Sequence, residues 1–384
     1  MFGMKKFGGF GRATRIIGRE LVKRGVEVFA VVPRPRGVPS GEQEMDGIRL
    51  LSYPANSLSS AMELIRQCDA DIYHSQDTSL ATYLAMRAMP DRCHVITFRD
   101  PLSLKDRFVE ARYGMSGNVS LKAKIGALLY SFYIDNFMVW KSVYRADALL
   151  AAAQCLIPKV KRKYPFLPRE PIFMPTPVEI PSEDQLTKAE QPTVCFVARW
   201  DQRKRPELFF ELARQNPDVR FIAVGGSQDP VRDAELRATY GSIPNLEMPG
   251  VINQFESDEL FKIFGKSHVM VNPAAREGLP NAFLEALAYK CAVLSFSDPD
   301  GFTSNFGYLA APEGLQEGLS YLLRDGNWRD RAEKGFEHVS RVFNLDTTIA
   351  MHLNVYEQVL KNRGRAKSKP VGSQPIPEQV SPKS

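Results

Sequence analysis

Residues 269–296, VMVNPAAREGLPNAFLEALAYKCAVLSF, limit the fold more than any other stretch, because they read strand, loop, helix, strand. An apolar run over 269–272 stops at Pro273, and 276–280 form a tight polar loop. Asn281 is placed to cap a helix running to about Lys290, and 292–296 return as a second buried strand. Such a unit predicts a Rossmann-like α/β layer. Two acids sit in it with seven residues between them, Glu277 in the loop and Glu285 on the helix. Between them Gly278, Leu279 and Asn281 offer backbone N–H groups at a helix N-terminus, where free donors and the dipole favour an anion. A carboxylate beside an anion site suits a ligand whose phosphates are flanked by hydroxyl-bearing rings, because an ionised carboxylate accepts from paired hydroxyls. The plainer alternative is an ordinary strand–helix unit with two solvated acids.

The run EGLPNAFLEALA, followed by a small-residue turn and an apolar strand, resembles the signature of the family 4 glycosyltransferases, retaining enzymes of GT-B fold and here of bacterial or archaeal type. The resemblance implies that Glu277 contacts the donor sugar and Glu285 the nucleotide ribose. A second motif supports it. After an apolar strand at 193–198 comes Arg199-Trp200-Asp201-Gln202-Arg203-Lys204-Arg205-Pro206, at a strand end and a helix start. Arg199 and Lys204 resemble the family's Arg…Lys pair, which grips the donor diphosphate. Two cations there stabilise charge as it develops on the leaving group. Arg203 and Arg205 read as surface charges. Val251 and Ile252, after the strand that follows Gly225-Gly226, are implied to edge the nucleotide base.

Composition narrows the function classes. The chain has 384 residues, 44% of them hydrophobic, enough for two domains with a core each. A net charge of +6 falls short of a dedicated nucleic-acid binder but suits anionic substrates or an anionic membrane surface. The five cysteines are scattered and never spaced C-x-x-C, which reads as reduced, buried thiols of a cytoplasmic protein. The histidines form no zinc-type group. No secretory signal is apparent in residues 1–10. D-x-D pairs at 69–71 and 298–300 read as strand-leading and turn-forming acids, so no metal site and no cofactor is expected.

In the first half, Gly8, Gly9 and Gly11 lead into a helix at about 12–24, followed by a strand at 26–32. The resemblance places Gly8 and Gly9 against the donor diphosphate. A strand should precede this loop, and MFGMKKF is too short and polar to be one, which points to a truncated start. At the end of the strand beginning at Val95, Arg99 stands where the family commonly has His. Arg99 reads as an electrostatic clamp and Asp100 as the nearest acceptor-side group, or Asp100-Pro101 is simply a turn. Residues 118–145 carry an apolar face with aromatic and basic flanks, either a buried helix or an interfacial one reaching a lipid-linked acceptor.

The expected organisation is an α/β GT-B protein with two Rossmann-like domains facing across a cleft. Residues 1–165 form the acceptor-side domain, 166–192 a proline-rich linker, and 193–345 the nucleotide-sugar domain. Residues 346–362 form a helix crossing back, and 363–384 a disordered tail. The expected partners are a nucleotide-sugar donor and a glycan or lipid-linked acceptor, with peripheral membrane contact at the inner surface left open and no nucleic acid. The expected activity is sugar transfer to an acceptor hydroxyl with retention, in polysaccharide or glycoconjugate synthesis. The alternatives are a truncated or non-catalytic GT-B subunit, or a GT-B epimerase or phosphorylase.

Overall fold

The computed structural model describes residues 9–34, 42–113, 126 and 137–364. The second domain is built on one parallel sheet. Its strands are β8 (Thr193–Val197), β9 (Arg220–Val224), β10 (Leu246–Gly250), β11 (Val269–Asn272), β12 (Ala292–Ser295) and β13 (Gly307–Leu309) when β1–β7 of the first domain are counted before them. The spatial order is β10-β9-β8-β11-β12-β13. The central strands are apolar runs buried on both faces, as a parallel sheet covered by helices on each side requires. Chain order reverses between β8 and β11. Loops leaving the carboxyl ends of those two strands therefore meet at a topological switch point, where such sheets place ligands. They are the loop carrying Arg199 and Lys204 and the loop carrying Glu277.

The first domain comprises β1 (Phe29–Arg34), β2 (Glu42–Met45), β3 (Ile48–Pro54), β4 (Ile72–Ser75), β5 (Cys93–Phe98), β6 (Ala148–Ala151) and β7 (Ile172–Phe173). They form two sheets, β1-β3-β2 and β4-β5-β6-β7. β2 and β3 are an antiparallel hairpin whose turn residues, Asp46 and Gly47, both take positive φ, as a two-residue hairpin demands. Among the described residues no ladder joins β1 to β4. Both strands are only partly buried along most of their length, in contrast to the fully buried β5. Val31, Tyr53 and Tyr73 nonetheless share one apolar cluster across the two sheets.

The last helix, Leu345–Asn362, crosses back to the first domain. Its Val355 and Val359 pack with Cys93, Val95, Ala148 and Leu150, and Ile349 packs on Ile17 and Leu21 of the first helix, Gly9–Lys23. Among the described residues no helix is long and apolar enough to cross a membrane. Four cysteines are buried, but Cys155 is exposed, against the expectation of buried thiols throughout. Gly8, most of the amphipathic stretch at 118–145, and the tail beyond 364 lie outside the described residues.

Candidate active site

The helix Asn281–Ala288 starts one residue earlier than a capping Asn281 would allow: Pro280 is the N-cap, and Asn281 is the first helical residue. Freed from capping, the Asn281 side-chain amide donates to the Gly9 carbonyl oxygen at 2.8 Å. The N-terminus of the first helix is thereby fastened to the N-terminus of the Glu285 helix. Gly278 also sits against the first domain. A Cβ built there would lie 3.0 Å from the Arg99 carbonyl oxygen and 3.5 Å from the Asp100 side chain. Glycine at 278 thus permits the two domains to approach, a role beyond the anion-facing amide expected of it. Leu279 packs partly buried between the core of the second domain and the alanines that follow β6.

Glu277 and Lys204 form an ion pair, with the Asn272 amide donating to the same carboxylate oxygen at 3.3 Å. Burial pushes the Glu277 carboxyl up, but the charge and hydrogen bond of Lys204, helped by Arg203 and Asn272, hold it below the usual range. The Lys204 loop is tightly laced. Asp201 accepts from the Lys204 backbone N–H at 3.1 Å, and the Ala275 N–H donates to the Arg203 carbonyl at 2.8 Å. Arg199 is exposed and pairs with Asp201 at 3.4 Å. Arg203 and Arg205, read from sequence as surface charges, are structural instead. Arg203 donates to Glu110 of the first domain at 3.0 Å, and Arg205 donates to the Pro273 carbonyl at 2.6 Å.

Glu285 is buried and ion-paired with Arg12 of the first helix. Burial pushes the Arg12 guanidinium down to about 10, against the nearby Glu179 charge, which raises it. Arg12, Thr176, Glu179, Gln254, Asn281 and Glu285 line a narrow cleft between the domains, with a free volume of about 20 Å³. Arg12 Nε, Glu285 Oε2 and Gln254 Oε1 are buried there without hydrogen-bond partners among the described residues. Unpaired buried polar atoms are costly, so three of them converging on one cleft mark it as a place for a polar ligand. Sequence reasoning missed Arg12 and Gln254. Arg12 follows the glycine-rich run directly, but nothing in its residue type announced a partner 273 positions away. Val251 is exposed beside Gly226, and Ile252 packs partly buried on the second-domain core.

On the first-domain side, Arg99 is buried and turned inward. It donates to Gln76 Oε1 at 2.5 Å and to Thr176 Oγ1 at 3.2 Å, and its Nε is unpartnered. Burial lowers its pKa to about 10. Asp100 accepts from Arg276 at 2.6 Å and Lys159 at 3.3 Å. Both residues are thus engaged with protein groups. The one nearby carboxylate outside any ion pair among the described residues is Asp77, just past the end of β4, whose Oδ1 accepts from the Thr78 N–H at 2.9 Å. Burial pushes it up to about 6. Asp69 and Asp71 both pair with Arg92. Asp298 accepts from the backbone N–H groups of Thr303 and Ser304 in the first turn of the Phe302–Phe306 helix, and Asp300 accepts from the backbone N–H groups of Gln154 and Cys155 at 2.7 and 2.5 Å. The acids of both D-x-D pairs are therefore spent on arginine or on backbone amides.

Residues 179–337 match the sequence profile described as glycosyl transferases group 1, and residues 7–179 match that of glycosyltransferase family 4. No curated protein matches the chain. Among solved structures, sucrose-phosphate synthase from Thermosynechococcus elongatus is similar at 16% identity and a TM-score of 0.70, over 92% of this chain and 94% of that one. HepE from Anabaena, in complex with UDP and glucose, is similar at 14% identity and a TM-score of 0.67, over 92% and 97%. A glycosyltransferase from Rickettsia africae is similar at 16% identity and a TM-score of 0.63, over 93% and 97%. With both domains matched in sequence and the two-domain architecture matched in space, the chain belongs to the family 4 glycosyltransferases of GT-B fold.

Proposed function

We propose that this glycosyltransferase moves a hexose from a nucleotide-sugar donor to an acceptor hydroxyl with the anomeric configuration retained, in the synthesis of a polysaccharide or glycoconjugate. The carrying observation is that the loops leaving β8 and β11 meet at the switch point, where Lys204 pairs with Glu277, while Asn281 and Glu285 of the helix that follows line the interdomain cleft. Because HepE is described with UDP and glucose, a uridine donor is the first to test. Glu285 would take the ribose hydroxyls and Glu277 the sugar. Arg199, Lys204 and the helix N-terminus would stabilise the diphosphate as it leaves. The bond from the anomeric carbon to the diphosphate oxygen breaks while the acceptor oxygen bonds on the same face. The acceptor proton passes to the departing phosphate oxygen, so no protein base is required. Arg199 and Lys204 supply the positive charge that such a leaving group needs, without a metal ion.

A second reading, a subunit that binds donor without transferring it, is favoured by one observation. Both proposed donor carboxylates are already paired with basic side chains. Calorimetric titration with UDP, GDP and ADP, followed by NMR of the products formed from the matching nucleotide sugars, separates the readings. Transfer with the α-linkage of an α-donor kept supports the proposal; inversion, or binding without sugar release, overturns it.

A further inference from the structure

Arg276, one residue before Glu277, has no part in the chemistry above, yet it makes the densest set of cross-domain ion pairs in this region. Its side chain is 9% exposed. Nη1 donates to Asp100 at 2.6 Å, while Nη2 and Nε donate to Glu110 at 2.7 and 3.2 Å. Asp106 lies 4.0 Å away. All three acids belong to the first domain: Asp100 follows β5, and Asp106 and Glu110 lie on the helix Leu104–Tyr113. Lys159 pairs with Asp100 and Asp106, and Arg203 with Glu110, so three acids and three cations balance. Alongside them a Cβ at Gly278 would lie 3.0 Å from the Arg99 carbonyl oxygen, so a larger residue there would press that backbone back by a few tenths of an ångström.

We propose that Arg276 is a positioning residue that holds the Glu277–Gly278 loop against the acceptor-side domain, so that Glu277 reaches its working place only while the guanidinium sits between Asp100 and Glu110. A guanidinium fork fixes two carboxylates in direction as well as distance. Burying these charges costs desolvation that their attraction roughly offsets, so the contact specifies the closed arrangement more than it stabilises the fold. That near-balance suits an enzyme whose cleft opens and closes in each turnover. Without Arg276, three acids face two cations and the closed form is disfavoured.

The proposal rests on the glycosyl-transfer reading for its kinetic arm only. In Arg276→Met, with Arg220→Met of the exposed Arg220–Glu247 pair as control, kcat is expected to fall at least tenfold. The calorimetric Kd for UDP stays within twofold, and amide hydrogen exchange at residues 99–100 and 277–279 rises at least tenfold. A purely structural role would instead lower the melting temperature and the bound UDP stoichiometry together. Glu110→Gln, at a partly exposed site, serves if the first variant fails to fold, and should move exchange in the same direction by at least threefold. Unchanged exchange in either folded variant, or kcat and UDP affinity falling together, overturns the proposal. If the unmodified chain transfers no sugar, the functional reading fails, and the exchange measurement still decides on the latch.

Discussion

Arg12 reaches across the cleft and pairs with Glu285, so the carboxylate proposed to hold the ribose is already occupied by a side chain of the opposite domain. Ribose hydroxyls must displace that guanidinium. Arg12→Met would leave Glu285 buried beside an apolar neighbour, and breaking a buried pair in this way costs about 3 kcal/mol. The melting temperature of the variant is expected to fall, and saturating UDP to raise it by more than it raises the unmodified protein's. An equal UDP-induced rise in both would show that Arg12 does not compete with the ligand.

The two glutamates should part company in ligand preference. Glu285→Ala is expected to weaken UDP and UDP-sugar alike by about tenfold, since both carry the ribose. Glu277→Ala should weaken the nucleotide sugar by a similar factor and leave UDP within twofold. Each loss corresponds to about 1.4 kcal/mol, the scale of one hydrogen-bonded hydroxyl. Equal losses for both ligands in both variants, measured calorimetrically, would remove these roles.

What could be read from sequence follows from how local each cause is. The unit around Glu277 and the Arg199–Lys204 loop are short, contiguous runs whose strand and helix signals sit beside their chemistry. The strands read near 26–32, from Val95, at 193–198, at 269–272 and at 292–296 came out within a few residues, whereas the β2–β3 hairpin and the short strands β7 and β13 were not read at all. The partners across the cleft were invisible. Arg12 with Glu285, Arg276 with Asp100 and Asp300 with the Gln154 amide join residues about 150 or more positions apart, and no periodicity encodes such a meeting. Asn281 misled for the same reason. As a residue type it favours capping, but a carbonyl from the first helix claimed its side chain.

Lys204 is asked to carry charge at the diphosphate, a contribution of about 3 kcal/mol for one well-placed donor in a water-poor site. Lys204→Met is therefore expected to reduce kcat by about a hundredfold. It also leaves Glu277 without its ion-pair partner. Excess EDTA should leave the unmodified enzyme within twofold of its untreated rate, because the proposal gives the positive charge to side chains. An enzyme silenced by EDTA and restored by a divalent cation would transfer that role to a metal.

Asp77 offers a test of the first-domain loops through pH. Burial pushes its carboxyl up to about 6, against the Thr78 N–H and the Arg99 charge, while the Asp100 charge pushes the same way as burial. A raised carboxyl pKa favours the protonated form in the folded protein. Its stabilising contribution is complete below the ordinary Asp range, near pH 4, and is lost as pH rises through about 6. Buried His74 and His352 act oppositely. Burial depresses both, His352 to about 4, so their contributions are present above the ordinary His range and fade as pH falls. The profile of the unmodified protein mixes the two, and the difference between variant and parent isolates Asp77. Asp77→Asn should melt like the parent near pH 4 and be more stable by on the order of 2 kcal/mol above pH 7, where the parent must bury a charge. A difference that stays constant from pH 4 to pH 8 would mean that Asp77 titrates normally and is solvated, and that the acceptor-side loops are more open than the closed cleft implies.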